Sequence, residues 1–275
     1  MNFLECIIYG LISGLAEFLP ISAAAHQTIL ATLFGADDQP LLTLLVHLGM
    51  LGAVFLAARR QMEQIRRERR LRRVPAKRRK RQPEQQSLLD FALVRSASIP
   101  VLLGILLSIL FGGKGFSMPV MVVFLIINGI ILFVPQFLPS GNKDSRSMTR
   151  LYGLLMGLFG AFGVLPGVSR VGAMLSVASA RGADKQKALN WCLLVSVPAL
   201  IGLLLADVYA LILQGAGSLD IGMVLRFFLS AGAACGGGYI AISGMRFLAL
   251  KQSFSGFAYY SWGAALFLFI LYMTI

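Results

Sequence analysis

Apolar residues in this chain come in blocks about as long as a bilayer is thick, and no other feature limits the fold so strongly. Residues 41–58, 97–111 with their flanks, 120–138, 189–213, 223–242 and 260–275 form six such runs, nearly empty of charge. A helix rises about 1.5 Å per residue, so roughly 20 residues cross the roughly 30 Å of bilayer hydrocarbon. Only helices and closed barrels pair all their backbone groups in that medium. The runs lack the alternation of apolar and polar residues that barrel strands need. An all-α integral membrane protein is therefore expected. The chain is 57% hydrophobic and only 13% charged, whereas soluble domains carry about 25% charged residues.

Its basicity is local. The formal net charge is +13, yet 13 of the 25 Lys and Arg residues fall within residues 59–81. No aromatic residues stand among them to stack bases, so nucleic-acid binding is excluded as a reading. The expectation is a basic cytoplasmic loop, 59–86, touching anionic membrane lipids. Cys6, Cys192 and Cys235 lie far apart in apolar sequence and read as packing residues.

Two further apolar stretches are interrupted, 3–33 around Pro20 and 151–180 around Pro166-Gly167. Proline removes an amide donor and crowds the preceding turn, so neither stretch is expected to be one continuous helix. Loop charge then orients them. With 59–81 inside, the connection at 112–117 falls outside, and Lys143, Arg146 and Arg150 fall inside. Arg181, Lys185 and Lys187 stay inside only if 151–180 dips into the membrane and returns. Residues 214–220, which lack Lys and Arg, then lie outside, and Arg246 with Lys251 inside; Arg226 is the exception. Traced backward, Asp37-Asp38 and the N-terminus are outside. The expected architecture is six transmembrane helices plus two re-entrant helical hairpins in an inverted repeat. It forms one polytopic domain over 1–275, with halves 1–138 and 139–275.

An ionisable side chain at bilayer depth is costly unless paired or hydrated, which makes function its default reading. Glu17, His26 and Arg170 qualify, and Ser22 and Ser169 stand beside the same breaks. The bland alternative for the charged residues is a salt bridge that locks the two hairpins together. For His26 it is a hydrogen-bonded packing role. His47 has no acidic neighbour along the chain, and Arg95 is close enough to the basic face to snorkel. Neither is assigned a role.

The segment Gly14-Leu15-Ala16-Glu17-Phe18-Leu19-Pro20-Ile21-Ser22, followed by His26, resembles the first motif of the undecaprenyl diphosphate phosphatases of the bacitracin-resistance type. Leu165-Pro166-Gly167-Val168-Ser169-Arg170-Val171-Gly172 resembles their Pro-Gly-x-Ser-Arg-Ser-Gly motif. Weaker similarity at His47-Leu48-Gly49, Gly238-Tyr239-Ile240-Ala241-Ile242 and Phe257-Ala258-Tyr259-Tyr260 extends the resemblance over nearly the whole chain apart from the basic loop. It implies the inverted-repeat fold, a bacterial plasma-membrane location and a site opening to the outer face. It also implies a hydrolase that converts a polyprenyl diphosphate lipid to the monophosphate plus phosphate, recycling the carrier of cell-wall synthesis. Arg170 would grip the diphosphate, with Ser22, Pro166, Gly167 and Ser169 at the substrate. Glu17 and His26 would handle protons, and Glu17 would help to hold a divalent cation, Mg or Ca, if one takes part.

Several motif positions depart from that pattern. Ser13 stands where the family places a second acidic or amide residue, four positions before Glu17. Ala23 replaces the serine after Ser22, with Ala24 and Ala25 following, and Val171 and Met174 replace a serine and a threonine of the second motif. A water activated by Glu17 or His26, or Ser22 itself, would have to supply the nucleophile. These losses keep a second expectation open, a non-hydrolytic polyprenyl phosphate binder or transporter on the same fold. A purely structural protein is disfavoured, because a scaffold gains stability by replacing buried charges with apolar residues.

Overall fold

The computed structural model describes residues 1–35, 39–78, 82–111, 116–139, 141–214, 220–250 and 254–274. Among these, ten α-helices follow in order: α1 (Phe3–Phe18), α2 (Ala23–Leu33), α3 (Pro40–Arg73), α4 (Gln85–Phe111), α5 (Met118–Phe133), α6 (Arg150–Ala161), α7 (Arg170–Ala180), α8 (Lys185–Gln214), α9 (Ile221–Leu250) and α10 (Gly256–Thr274). The six apolar runs fall on α3, α4, α5 with the 3-10 turn Val134–Phe137 that continues it, α8, α9 and α10, each long and apolar enough to cross a membrane. Both interrupted stretches break where the prolines place the break. One gives α1 and α2, the other α6 and α7, joined through a short 3-10 turn at Phe162–Val164.

The basic stretch departs from expectation. Residues 59–73 are not a loop but continue α3 as far as Arg73. Arg, Gln, Glu and Met are strong helix formers, and Arg59 pairs with Glu63 one turn on at 2.7 Å. Glu68, buried within this polar extension, accepts a hydrogen bond from the Glu84 amide at 2.8 Å just before α4. Arg79, Lys80 and Arg81 lie outside the described residues, as do Asp37-Asp38, residues 112–115 and 215–219, and Lys251.

Helix pairing repeats itself along the chain. The short helix α1 packs on α9, and α6 packs on α4; α3 also contacts α9 as α8 contacts α4, while α3 meets α8 and α5 meets α10. Glycines allow the close approaches. A Cβ at Gly10 or Gly14 would run into the Ser230 or Ala234 carbonyl of α9, and one at Gly157 into the Ala97 carbonyl of α4. Small residues four apart let membrane helices approach to backbone contact, where dispersion rather than water release holds them.

Basic connections gather at one end. The Lys143 amide donates to the Gly182 carbonyl and the Asp184 amide to the Lys143 carbonyl, each at 3.0 Å. Lys187 faces Asp144 at 3.6 Å. The chain thus leaves α7 beside the point where it entered α6. The Arg146 amide, 2.9 Å from Asp144, and the nearby Lys187 hold the Asp144 carboxyl below the usual carboxylate range. At the same end Gln86 reaches Ser145, and Arg246 donates to the Ala57 carbonyl at 2.7 Å. Arg226 sits apart, donating to the carbonyls of Met1 and Gly222 at 3.1 Å. It is tied to backbone at the start of α9, which accounts for its departure from the loop-charge pattern.

Candidate functional site

Pro20 ends α1 by holding Leu19 extended, at ψ 150°, as a residue before proline prefers. Ser22 then takes φ 68°, the left-handed region that a serine adopts only when its surroundings hold it there. Its hydroxyl is the holder. Ser22 Oγ accepts from the Gly167 amide of the second break at 3.0 Å and, more loosely, from the Ala25 amide at the start of α2. Gly167 itself lies at φ 118° with the α5 backbone close by, so only glycine fits. Ser169 caps α7, accepting from the Gly172 amide at 3.2 Å and donating to the Leu19 carbonyl at 3.4 Å.

Asn128 of α5 completes the joint. Its Oδ1 accepts from the Ser169 amide at 2.8 Å, and its Nδ2 donates to the Pro20 carbonyl at 3.2 Å and to Ser261 Oγ at 3.0 Å. Sequence reasoning passed over this residue. The available signal was that it is the one polar side chain in α5.

Above the joint, Arg170 Nη2 donates to Glu17 Oε1, and both side chains are buried. Together with Ser169 they line a cavity of about 170 Å³ whose wall also includes Ala23, Ala24, Gln27, His47 and Ser108. Arg170 Nε and Gln27 Nε2 are buried there without a hydrogen-bond partner among the described residues. Arg170 opens α7, so it stands at the positive end of that helix. Two unmet donors beside a helix N-terminus favour an oxyanion.

The remaining predicted residues lie elsewhere. His26 turns to the other side of α2: its Nδ1 is 2.8 Å from the Ser22 carbonyl and its Nε2 2.7 Å from Tyr260 Oη. It lines a separate, almost wholly apolar groove of about 420 Å³ with Ile12, Ile29 and Phe267. Ser22, Pro166 and Gly167 are buried in the joint rather than in the cavity wall. Of the departed motif positions, Ala23 and Ala24 face the cavity, whereas Ser13, Val171 and Met174 are fully buried outside its wall. His47 is not isolated: its Nδ1 meets Asp207 Oδ2 of α8 at 2.6 Å.

Among the described residues no three His, Cys, Asp or Glu side chains come together. The single carboxylate on the wall, Glu17, is already neutralised by Arg170.

The chain is similar in sequence to known proteins. A family model described as bacitracin resistance protein BacA matches residues 6–267. An undecaprenyl-diphosphatase of Carboxydothermus hydrogenoformans is 28% identical over 95% of this chain and 94% of its own length. One of Methanobrevibacter smithii is 29% identical over 98% of each chain. One of a Nocardioides species is 35% identical over 74% of this chain and 73% of its own.

Proposed function

The chain belongs to the bacitracin resistance protein BacA family, and from that membership we propose that this multi-pass membrane protein hydrolyses a polyprenyl diphosphate, undecaprenyl diphosphate, to the monophosphate and phosphate. The observation that carries the proposal is Arg170, buried at a helix N-terminus in a cavity shared with Glu17 and Gln27, with its Nε unmet. A diphosphate entering the cavity takes that donor and the Gln27 amide, while Glu17 keeps Arg170 Nη2 and so holds the guanidinium fork in place for the phosphate oxygens. Charge that builds on those oxygens as the phosphoryl group transfers is stabilised by groups already in place. Ser22 Oγ, taken up by the Gly167 amide, is not placed to attack, so water is the nucleophile. We assign His26 a positioning role, holding α2 against Tyr260 of α10.

The membrane arrangement belongs to the same proposal. We read α1–α2 and α6–α7 as re-entrant hairpins within an inverted repeat of α1–α5 and α6–α10. The support is the exchange-symmetric pairing of α1 with α9 and α6 with α4, and the return of α7 to the start of α6. The cavity opens to the outer face in this reading, because His47 and Ser108 sit near the ends of α3 and α4 remote from the arginine-rich end. There, Arg66, Arg69, Arg70 and Arg73 rim a groove of about 320 Å³ floored by Phe91, Val94 and Leu194, which suits anionic lipid headgroups.

The test is phosphate release by purified protein from a long-chain polyprenyl diphosphate. Release by the parent protein, lost in Arg170→Ala together with lipid binding, supports the proposal. Arg170-dependent binding without release across pH and added divalent cations would replace hydrolysis with lipid binding or transport.

A further inference from the structure

The phosphatase proposal leaves the attacking water without a base, and the cavity wall narrows the choice. Glu17 is occupied by Arg170. Ser169 Oγ donates to the Leu19 carbonyl, and Ser108 Oγ donates to the Ile105 carbonyl at 2.7 Å. Ala23 and Ala24 have nothing to offer, and the Gln27 amide does not take up a proton. His47 remains. It reaches the wall from α3, with Asp207 bound to its Nδ1 from α8 at 2.6 Å.

A carboxylate on Nδ1 fixes the tautomer, placing the hydrogen on Nδ1 and the lone pair on Nε2. No hydrogen bond to His47 Nε2 is formed among the described residues. The pair is also costly to keep. Asp207 is the sole acidic residue in α8, at 14% side-chain exposure, within a helix apolar enough to span a membrane. A histidine and a carboxylate on facing spans at one depth, beside an anion-binding cavity, are better explained by proton traffic than by packing.

We infer that His47, oriented by Asp207, is the general base of the hydrolysis, which rests on the phosphatase proposal above. Water attacks the terminal phosphorus and gives its proton to His47 Nε2 as the new P–O bond forms. The bond from that phosphorus to the bridging oxygen breaks, and its electron pair leaves with the lipid monophosphate. The Asp207 carboxylate stabilises the imidazolium, which returns its proton to solvent as phosphate departs. Asp207 is a positioning residue, acting through His47.

Steady-state phosphate release and binding of the lipid monophosphate, measured on the full-length protein and its His47→Gln, His47→Ala, Asp207→Asn and Asp207→Glu variants, test the inference. The His47 variants are expected to lose about 100-fold or more in kcat, with KM and monophosphate binding within a few-fold. Asp207→Asn should cost about tenfold or more in kcat, and Asp207→Glu should recover much of it. A pair that merely tied α3 to α8 would lower thermal stability and KM-linked binding together and leave the kcat of the folded fraction intact. That result, or His47 variants within about threefold of the parent kcat, overturns His47 as base while leaving the phosphatase proposal standing. No release by the parent protein overturns both.

Discussion

Ser22, Gly167, Ser169 and Asn128 show how a few side chains can align two helix breaks about 145 residues apart in sequence, the separation of the Ser22–Gly167 bond. Ser22→Ala keeps the strained φ but removes its holder, so a loss of roughly 1–3 kcal/mol of stability is expected in detergent unfolding. Asn128→Leu leaves the Ser169 amide unmet and should cost a similar amount. The motif departures divide by position. Ala23 faces the cavity, so Ala23→Ser is expected to raise the hydrolysis rate by a few-fold. Ser13 is fully enclosed, and Ser13→Glu should lower stability and yield rather than restore activity. His26→Ala, on a different side of α2 from the cavity wall, should slow turnover by less than about tenfold, and a loss as deep as that of Arg170→Ala would mean that His26 turns inward during the reaction. The pairing of Glu17 with Arg170 was foreseeable in outline from buried opposite charges. The link from His47 to Asp207 was not, because neither residue stands beside a proline break that would mark the two as meeting.

Among the elements, prolines and apolar run length carried most of the legible information. Pro20 and Pro166 marked the two breaks, yet Pro100 and Pro198 stand inside the unbroken helices α4 and α8, since neighbouring helices in a membrane protein can absorb a missing amide. Loop charge misled at one place. The arginine-rich stretch read as a loop because it is polar, whereas its residues are good helix formers and carry α3 onward to Arg73. The glycine approaches are the most sensitive contacts at this scale. Gly14→Val on α1 or Gly157→Val on α6 is expected to cost roughly 1–3 kcal/mol, read as a lower unfolding midpoint. Similar losses would fit the matched roles of the two short helices. A marked loss at one and none at the other would count against the repeat.

For the whole molecule, the account places one anion-binding cavity where two broken helices meet, between an arginine-rich end and an opposite end that carries the N-terminus. Sealed-vesicle cysteine labelling should find the Arg73 end of α3 facing the cytoplasm and Met1 facing out; the reverse would invert the site. Neither orientation nor substrate could be read from helix packing, which is indifferent to side and to lipid. Charge and motif residues carried those expectations. The central claim is that Glu17 and Arg170 serve a phosphate rather than lock two hairpins, and the charge-exchanged double variant Glu17→Arg/Arg170→Glu separates these directly. Phosphate release from a polyprenyl diphosphate should be seen with the parent protein and fall by about 100-fold or more in the exchanged protein, even where its unfolding midpoint matches the parent's. Undiminished release from a folded exchanged protein, or none from the parent, would contradict it.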